Sequence, residues 1–247
     1  MPMIDFTIAE NKKIAKDVFE MQLSIVNCQL STAPGQFVNL EIEGHYLRRP
    51  ISICDWDGQT LTLIYKVVGR GTARLAEYQP GEKVNMLTGL GNGYNLVQAE
   101  RPLLLGGGVG VPPLYYLAKE LVKAGQKPIA VLGFRSADDV FFEAEFAALC
   151  DVIVMTEDGL YGQKGFVTHA MPGLQYDALY TCGPEPMLRA IYNQAIDLPP
   201  GHAQFSFERR MGCGFGACMV CSCKTVAGYK RICKEGPILT KEEILWT

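Results

Sequence analysis

Four cysteines close to the C-terminus constrain this chain more than any other feature. Cys213, Cys218 and Cys221 follow a C-x4-C-x2-C spacing, and Cys233 comes after eleven further residues. This is the plant-type spacing in which four thiolates hold a [2Fe-2S] cluster. A structural zinc site would favour two paired C-x2-C knuckles, whereas these residues form only one. The spacing therefore predicts a [2Fe-2S] cluster on Cys213, Cys218, Cys221 and Cys233, with zinc as the alternative.

The other cysteines do not extend this ligand set. The chain has nine cysteines, an odd number, and five lie in the last 35 residues. Such crowding in a reducing compartment favours metal over disulfides. Cys223 is too close to Cys221 to be the fourth ligand of so regular a loop, and we expect a packed thiol. The remaining four lie in or beside predicted strands, where we expect small buried side chains: Cys28, Cys54, Cys150 and Cys182.

Length and composition set the class of protein. The chain has 247 residues, of which 48% are hydrophobic and 20% charged, so two compact domains and a small appended module are expected. The net charge of -3 leaves no basic surplus for nucleic acid. The start of the chain lacks a basic segment followed by an apolar run, and no stretch approaches the roughly 20 apolar residues of a membrane span. A cytoplasmic protein is expected.

The hydrophobic pattern divides the chain into three parts. Residues 1–97 alternate with period two between Pro-Gly and Asp-Gly turns, which predicts a small antiparallel β-barrel. Residues 98–207 alternate short apolar strands with helical stretches, which predicts a parallel sheet wrapped by helices. In residues 208–247 regular patterning fades and the cysteines take over. We therefore predict a barrel domain, an α/β nucleotide-binding domain and a small ferredoxin-like cluster module.

Two glycine-rich turns in the predicted α/β domain are candidate nucleotide-binding sites. The first stands between an apolar strand and a helix, where glycines allow close approach of a pyrophosphate and the helix start offers free N–H groups. The second ends another strand of the same sheet, so both would lie at one carboxyl edge. Alone, either could be a mere tight turn; together they favour a nicotinamide dinucleotide. The residues are Gly106, Gly107, Gly108, Gly110, Cys182, Gly183 and Pro184.

The predicted barrel carries a third candidate site. Arg48 and Arg49 precede Pro50 on one strand, and Gly71 and Thr72 follow the next. Arginine is suited to a bidentate phosphate contact, and a Gly-Thr turn offers N–H and hydroxyl donors. On these residues alone, solvated strand charges are the alternative.

The order of these motifs resembles a known family. An Arg-Pro-x-Ser strand, a Gly-Gly-Gly-x-Gly turn and a Cys-Gly-Pro turn, in that order, resemble the ferredoxin-NADP reductase superfamily of flavoproteins. The cluster segment, ERRMGCGFGACMVC at 208–221 and YKRICKEGP at 229–237, is similar to the electron-transfer subunits of dihydroorotate dehydrogenase B. The similarity of layout covers the whole chain. The run between Cys221 and Cys233 is shorter than in many members, and subunits of sulfide dehydrogenase and of transhydrogenase-type complexes share the architecture.

The resemblance implies three cofactors, FAD, NAD and the [2Fe-2S] cluster. Arg49 would contact the FAD phosphates, Ser52 would lie near the reactive edge of the isoalloxazine, and Gly71 with Thr72 would hold the pyrophosphate. The two glycine turns would place NAD so that its nicotinamide meets the flavin. The residues implied for FAD are Arg49, Pro50, Ile51, Ser52, Ile64, Tyr65, Lys66, Gly71 and Thr72.

The implied activity is electron transfer in pyrimidine (UMP) biosynthesis. A partner catalytic subunit would oxidise dihydroorotate on its own FMN, and electrons would pass through the cluster and FAD to NAD+, in a heterotetramer of two copies of each subunit. No acid–base residue is required of this chain, so we expect His45, His169 and His202 to be structural or surface residues. The alternatives are a reductase subunit using NADP, with Arg135 and Ser136 as its phosphate pocket, and a non-enzymatic metal-binding redox sensor.

Overall fold

The N-terminal part of the structure is a closed antiparallel barrel. The structure, a computed structural model, describes residues 3–25 and 30–246. The six strands are ordered β1-β2-β5-β4-β3-β6 around the wall. This confirms the predicted barrel. Its elements are β1 (Met3–Ala15), β2 (Val18–Ser24), β3 (Phe37–Leu40), β4 (Arg49–Trp56), β5 (Thr60–Lys66), α1 (Arg70–Ala76) and β6 (Lys83–Leu90).

Alternation of side chains builds the barrel core. Along β5, Leu61, Leu63 and Tyr65 point into the interior, where they are almost fully buried. Ile64, on the other face of the same strand, packs against the second domain. Successive side chains of a strand point to opposite faces, so β5 contributes to the barrel core on one face and to the interface with the second domain on the other.

The second domain is built on a seven-stranded sheet of order β10-β9-β8-β7-β11-β12-β15. Six of its strands run parallel, which confirms the predicted α/β architecture. Its strands are β7 (Pro102–Gly107), β8 (Ile129–Phe134), β9 (Asp151–Thr156), β10 (Gln163–Lys164), β11 (Ala178–Cys182) and β12 (Ala203–Ser206). Its helices are α2 (Pro112–Lys123), α3 (Glu143–Ala147), α4 (Val167–Ala170) and α5 (Glu185–Gln194).

Helix α2 has the start and stop residues that its sequence indicates. Pro112 occupies the first position of the helix, where the N–H that proline lacks would have no partner within the helix. The helix ends at Lys123, and Gly125 follows with a φ of +80°, the left-handed conformation that closes many helices. The helix therefore starts directly at the glycine-rich turn after β7.

The C-terminal segment is ordered and is not wholly separate from the sheet. It contains β13 (Ser222–Thr225), β14 (Gly228–Arg231), α6 (Ile232–Glu235) and β15 (Ile238–Thr240). The first two strands form a hairpin. Strand β15 pairs antiparallel with β12, so the sheet is mixed at this edge. The fading pattern after residue 207 reflects elements of only three or four residues, too short to show a period.

The barrel and the sheet are joined through α2. Lys119 of α2 forms an ion pair with Asp55 of β4, with Nζ–Oδ distances of 2.7 and 2.6 Å. The hydroxyl of Tyr116 donates to the carbonyl of Thr32 at 3.3 Å. One helix thus touches the glycine-rich turn at its start and the Arg-Pro strand along its side. Over the described ranges, no helix has the length and apolar character needed to cross a membrane.

Candidate redox site

The four candidate cluster ligands lie together as two pairs. In the first pair, the Cys218 N–H donates to the Cys213 sulfur and the Cys213 N–H donates to the Cys218 sulfur, both at 3.4 Å. In the second, the Cys233 N–H donates to the Cys221 sulfur at 3.4 Å. Within residues 3–25 and 30–246, no three histidine, cysteine, aspartate or glutamate side chains gather around one point. The hydrogen bonds therefore link the thiols in two pairs, and Cys213 of the first pair is close enough to Cys233 of the second to act on it electrostatically.

The two pairs differ in exposure and electrostatics. Cys221 and Cys233 are each only 2% exposed, whereas Cys218 is open to solvent. Burial and the neighbouring Cys221 thiol raise the pKa of Cys233 to about 12. Although burial acts in the opposite direction at Cys213, N–H groups of its own loop, including that of Phe215, lower the pKa of its thiol to about 6. The loop therefore already stabilises a thiolate at Cys213.

The side chain of Arg231 ties the two cysteine pairs to each other. Its Nη1 donates to the carbonyl of Gly216, in the loop of the first pair, at 2.8 Å. Its guanidinium also pairs with Glu235, one turn away on α6, which carries Cys233. The contact with Arg231 lowers the pKa of Glu235 to about 2. The contacts of Arg231 with Gly216 and Glu235 were not predicted from the sequence, in which Arg231 is recognisable only as a basic residue near the cysteines.

Two barrel asparagines hold the cluster segment against the barrel. Asn39 of β3 donates from Nδ2 to the Cys213 carbonyl at 3.2 Å. Asn92, just after β6, donates from Nδ2 to the Ile238 carbonyl at 2.8 Å and accepts from the Ile238 N–H at 3.1 Å. Neither contact is predictable from the sequence, because single asparagines more than 140 residues from their partners carry no local signal.

The candidate phosphate-binding residues of the barrel are brought together. A methyl group added at Gly71 would lie 2.6 Å from Arg49 Nε, so the guanidinium lies directly over the start of α1. The Thr72 hydroxyl accepts from the Val68 N–H at 2.9 Å and donates to the Gly69 carbonyl. That hydroxyl is therefore used within the turn, where we had expected it to bind the pyrophosphate.

The rest of the candidate flavin residues lie on two neighbouring strands. Pro50, Ile51 and Ser52 of β4 are half-buried, and Ile51 packs against the barrel core. Tyr65 does not face outward as a cofactor contact would require, because its ring is in the core and its hydroxyl donates to Asn11 at 2.9 Å. Burial raises the pKa of this hydroxyl.

Ile64 and Lys66, the other candidates on β5, face the second domain. Ile64 is buried in the core that the barrel shares with the sheet. The ammonium group of Lys66 lies 3.7 Å from a carboxylate oxygen of Asp139.

The two glycine-rich turns touch each other at the carboxyl edge of the sheet. A methyl group at Gly110 would lie 2.5 Å from the carbonyl carbon of Cys182 and 2.7 Å from the Gly183 nitrogen. A methyl group at Gly107 would meet the thioether sulfur of Met187 at 2.5 Å. The predicted nucleotide-binding residues are thus adjacent, and their packing leaves room for hydrogen only. A cleft beside Gly183 and Pro184 continues along the ends of β11 and β12.

The cysteines outside the ligand set are free thiols in this structure. Cys54 is fully buried, and Cys150, Cys182 and Cys223 are partly exposed. Burial raises the pKa of Cys182 to about 12. Cys223 packs beside the sheet core, and Cys28 lies outside the described residues.

The histidines all contact backbone atoms. Ring nitrogens of His45, His169 and His202 lie within 3.2 Å of a backbone group of Glu43, Phe166 and Asp177, respectively. His45 and His169 are therefore held in local turns, whereas His202 contacts a residue 25 positions earlier in the chain.

This arrangement defines a class: a flavin reductase architecture that carries an iron–sulfur-binding segment. A sequence model described as the iron-sulfur cluster binding domain of dihydroorotate dehydrogenase B matches residues 208–245, and one described as an oxidoreductase NAD-binding domain matches residues 104–193. A solved structure of an NADH-dependent reduced ferredoxin-NADP oxidoreductase, described for flavin-based electron bifurcation, superposes with a TM-score of 0.88. It shares 30% identity over 98% of this chain and 90% of that chain.

Full-length relatives identify the family. The chain is 42% identical to "Dihydroorotate dehydrogenase B (NAD(+)), electron transfer subunit" of Geobacillus sp. (strain WCH70), covering 99% of both chains. It is 44% identical to the protein of the same name from Bacillus caldolyticus, covering 97% of both. The chain belongs to the family of dihydroorotate dehydrogenase B electron transfer subunits. Phthalate dioxygenase reductase, at 16% identity and a TM-score of 0.72, shares the fold.

Proposed function

We propose that this protein passes electrons from the FMN of a dihydroorotate dehydrogenase catalytic subunit to NAD+, through a [2Fe-2S] cluster and FAD, in pyrimidine (UMP) biosynthesis. FAD, when bound, connects the one-electron chemistry of the cluster with the hydride chemistry of the nicotinamide. The observation that carries the proposal is the position of the cysteine segment, whose Cys213 loop is hydrogen-bonded to the strand next to the Arg-Pro strand.

The ligand spacing supports a di-iron cluster over zinc. A structural zinc site favours two C-x2-C knuckles, whereas these residues form only one. A [2Fe-2S] cluster has four thiolates shared by two irons, and the two hydrogen-bonded pairs fit that division. Cys213 with Cys218 would hold one iron and Cys221 with Cys233 the other. The N–H groups aimed at the sulfurs would stabilise the thiolate charge.

The barrel residues fit a flavin dinucleotide at the end of β4. The Arg49 guanidinium over Gly71 offers a cation and backbone donors to phosphate, with Arg49, Gly71 and the backbone of Thr72 in this role. Pro50 and Ser52 line the strand beyond it. We assign no side-chain contact with the flavin to Tyr65 or Ile64, which are buried in cores, or to Lys66, which pairs with Asp139.

The sheet edge fits NAD better than NADP. Gly107, Gly108 and Gly110 would let the dinucleotide approach the start of α2, and Gly183 with Pro184 would close the site from the side. A 2′-phosphate would need a cationic pocket. Arg135 and Ser136 supply a poor one, since the Ser136 hydroxyl donates to Asp139 at 2.8 Å and the segment carries two adjacent carboxylates, Asp138 and Asp139.

The alternatives have less support. The NADP-using reductase alternative is supported by a solved structure that shares 30% sequence identity with this chain. The dihydroorotate dehydrogenase B relatives share 42–44% sequence identity over nearly the whole chain. A zinc redox sensor would require a compact four-ligand site. We further propose a cytoplasmic heterotetramer with an FMN-containing partner, two copies of each subunit, and the boundaries 1–97, 98–207 and 208–247 for the flavin, NAD and cluster parts.

A Cys218→Ser substitution tests the serial order of transfer. In the assembled complex, it should abolish dihydroorotate-dependent reduction of NAD+, while NADH oxidation by an artificial acceptor at the flavin is retained. Flavin content and the folded state are checked by absorbance and circular dichroism. Equal loss of both activities in a folded, flavin-loaded variant would contradict the proposed order. The matched control is Cys223→Ser, since Cys223 is on β13, two residues after Cys221, and outside the ligand pairs.

A further inference from the structure

The side chain of Asn39 is the direct link between the cluster segment and the barrel wall. It is only 1% exposed, and its Nδ2 donates to the carbonyl of Cys213 at 3.2 Å across 174 residues of sequence. The amide therefore contacts the backbone of a candidate cluster ligand itself. Asn92 holds the other end of the segment, near residue 238, at a greater remove from the ligands in sequence.

The backbone of Asn39 is fixed on the other side by the candidate flavin strand. In the β3–β4 ladder Asn39 is directly opposite Pro50, between Arg49 and Ile51. Its carbonyl accepts from Arg48 Nη1 at 3.3 Å. One residue therefore has its main chain in register with the Arg-Pro strand and its side chain on the cysteine loop.

The cysteine loop approaches Asn39 as closely as a backbone can. Gly214, the residue after Cys213, has a φ of +79°, and a methyl group added there would overlap the Asn39 Nδ2 and lie 3.2 Å from its Cγ. Only glycine fits both this conformation and this approach. The spacing between loop and strand is thus set by van der Waals contact and by the hydrogen bond together.

The oxygen atom of the Asn39 amide indicates that this residue has more than a structural role. Asn39 Oδ1 is buried and accepts no hydrogen bond from any residue in the described ranges 3–25 and 30–246. A buried acceptor without a donor lowers stability, which offsets part of what the Nδ2 bond to the Cys213 carbonyl adds. The net stability gained from asparagine at this position is therefore small, which indicates a role beyond stability.

We propose that Asn39 is a positioning residue for electron transfer between the cluster and the flavin, an inference that rests on the proposed function. It holds the Cys213 loop at a fixed distance from β4, so that the two redox groups keep a constant separation. When NADH is the donor, its hydride delivers two electrons to the flavin. One electron then passes to the cluster, and no covalent bond forms or breaks in that step.

The test compares Asn39→Leu with Asn39→Thr in the full-length protein loaded with flavin and iron. Leucine is similar in size and removes the whole amide; threonine suits a strand but is too short to reach the Cys213 carbonyl. The matched control is Asn85→Leu, because Asn85 on β6 also contacts Arg48, at 2.8 Å, but does not contact the cysteine loop. Rapid mixing with NADH gives the rate of flavin bleaching, and freeze-quenched EPR gives the rate of cluster reduction.

We expect both Asn39 variants to slow cluster reduction several-fold, because the rate of electron transfer falls as the separation of the two redox groups increases. Flavin bleaching should stay within twofold, iron content should be unchanged, and the EPR g-values should shift. The thermal midpoint of Asn39→Leu should not fall below that of Asn85→Leu.

The inference would be overturned by a rate of cluster reduction equal to that of the wild type, or by equal slowing of flavin bleaching and cluster reduction. Loss of iron in both Asn39 variants would also overturn it, because the role of Asn39 would then be structural. A wild-type protein with no flavin, or with no EPR signal after anaerobic loading and chemical reduction of the cluster, would instead refute the proposed function.

Discussion

The contact between the two glycine-rich turns gives the sharpest prediction for the nucleotide site. Gly110 does not have a positive φ, so Gly110→Ala introduces no backbone strain and tests space alone. The new methyl would lie 2.5 Å from the Cys182 carbonyl carbon and closer still to its oxygen. These are backbone atoms of a strand end, which cannot rotate away as a side chain can.

The size of the effect follows from that distance. Restoring ordinary contact with the carbonyl carbon means lengthening 2.5 Å to 3.4 Å, so the two turns must separate by at least about 0.9 Å, and by more to clear the nearer oxygen. Overpacking of this kind costs about 1–3 kcal/mol of stability. If both turns contact the dinucleotide, a displacement near 1 Å also costs up to about 100-fold in the step that they position. We expect the KM for NADH to rise about 10- to 100-fold.

The matched comparison is Gly107→Ala in the same turn. Its methyl would meet the sulfur of Met187 at 2.5 Å, but a thioether at the end of a flexible side chain can change rotamer. We therefore expect a smaller rise in KM and a loss of at most about 1 kcal/mol. The assay is NADH-dependent flavin reduction with an artificial acceptor, paired with urea unfolding of the same samples.

Two outcomes would refute this reasoning. If Gly110→Ala kept wild-type stability and KM, the close approach of the two turns would be wrong. If Gly107→Ala were as damaging as Gly110→Ala, the rigidity of the neighbouring atoms would not decide the cost.

Three further predictions concern other parts of the structure. Arg231→Gln removes the contact with Gly216 and should speed the loss of iron several-fold, followed as bleaching of cluster absorbance; unchanged lifetimes would exclude a clamping role. Lys119→Ala leaves Asp55 without its partner and should lower the free energy of unfolding in urea by about 1–3 kcal/mol; a value near zero would mean that the pair does not join the domains. Asp57 accepts two turn N–H groups, chiefly that of residue 60, which lowers its pKa below 3.8. The stability that the Asp57 carboxylate adds is therefore present above pH 3.8 and lost as the pH falls through the lowered pKa. An Asp57→Ala variant should have a lower free energy of unfolding at pH 7, by up to about 1 kcal/mol, and this difference should vanish in acid. A difference that persisted in acid would disprove the assignment.

Local sequence signals predicted much of the fold because each element carries its own physical cause. The alternation at Leu61, Leu63 and Tyr65 matches a strand with a buried face, and Pro112 with Gly125 marks the ends of α2. The cysteine spacing and the glycine turns were visible for the same reason. Chemistry that depends on a few adjacent residues can be read from their order.

Side-chain direction was predicted better by the local pattern than by the family resemblance. Tyr65 lies on a strand that the family resemblance assigns to the flavin, yet its ring fills the barrel core. The alternation of Tyr65 with Leu61 and Leu63 indicates that buried face, whereas the resemblance assigns the strand as a whole. Strand β15 was missed because three residues are too few to show a period, and its pairing with β12 depends on contacts across 32 residues or more.

The contacts that were invisible in the sequence are those that fix the cluster segment in place. The segment is held by Asn39 and Asn92 on the barrel and by β15 on the sheet. A module on a flexible linker would sample many separations from the flavin strand. Strand pairing and buried hydrogen bonds leave this segment one position between the two domains, and the distance between redox groups then follows from the fold. Loosening Asn39 should therefore change the rate of electron transfer before it changes whether the cluster is bound.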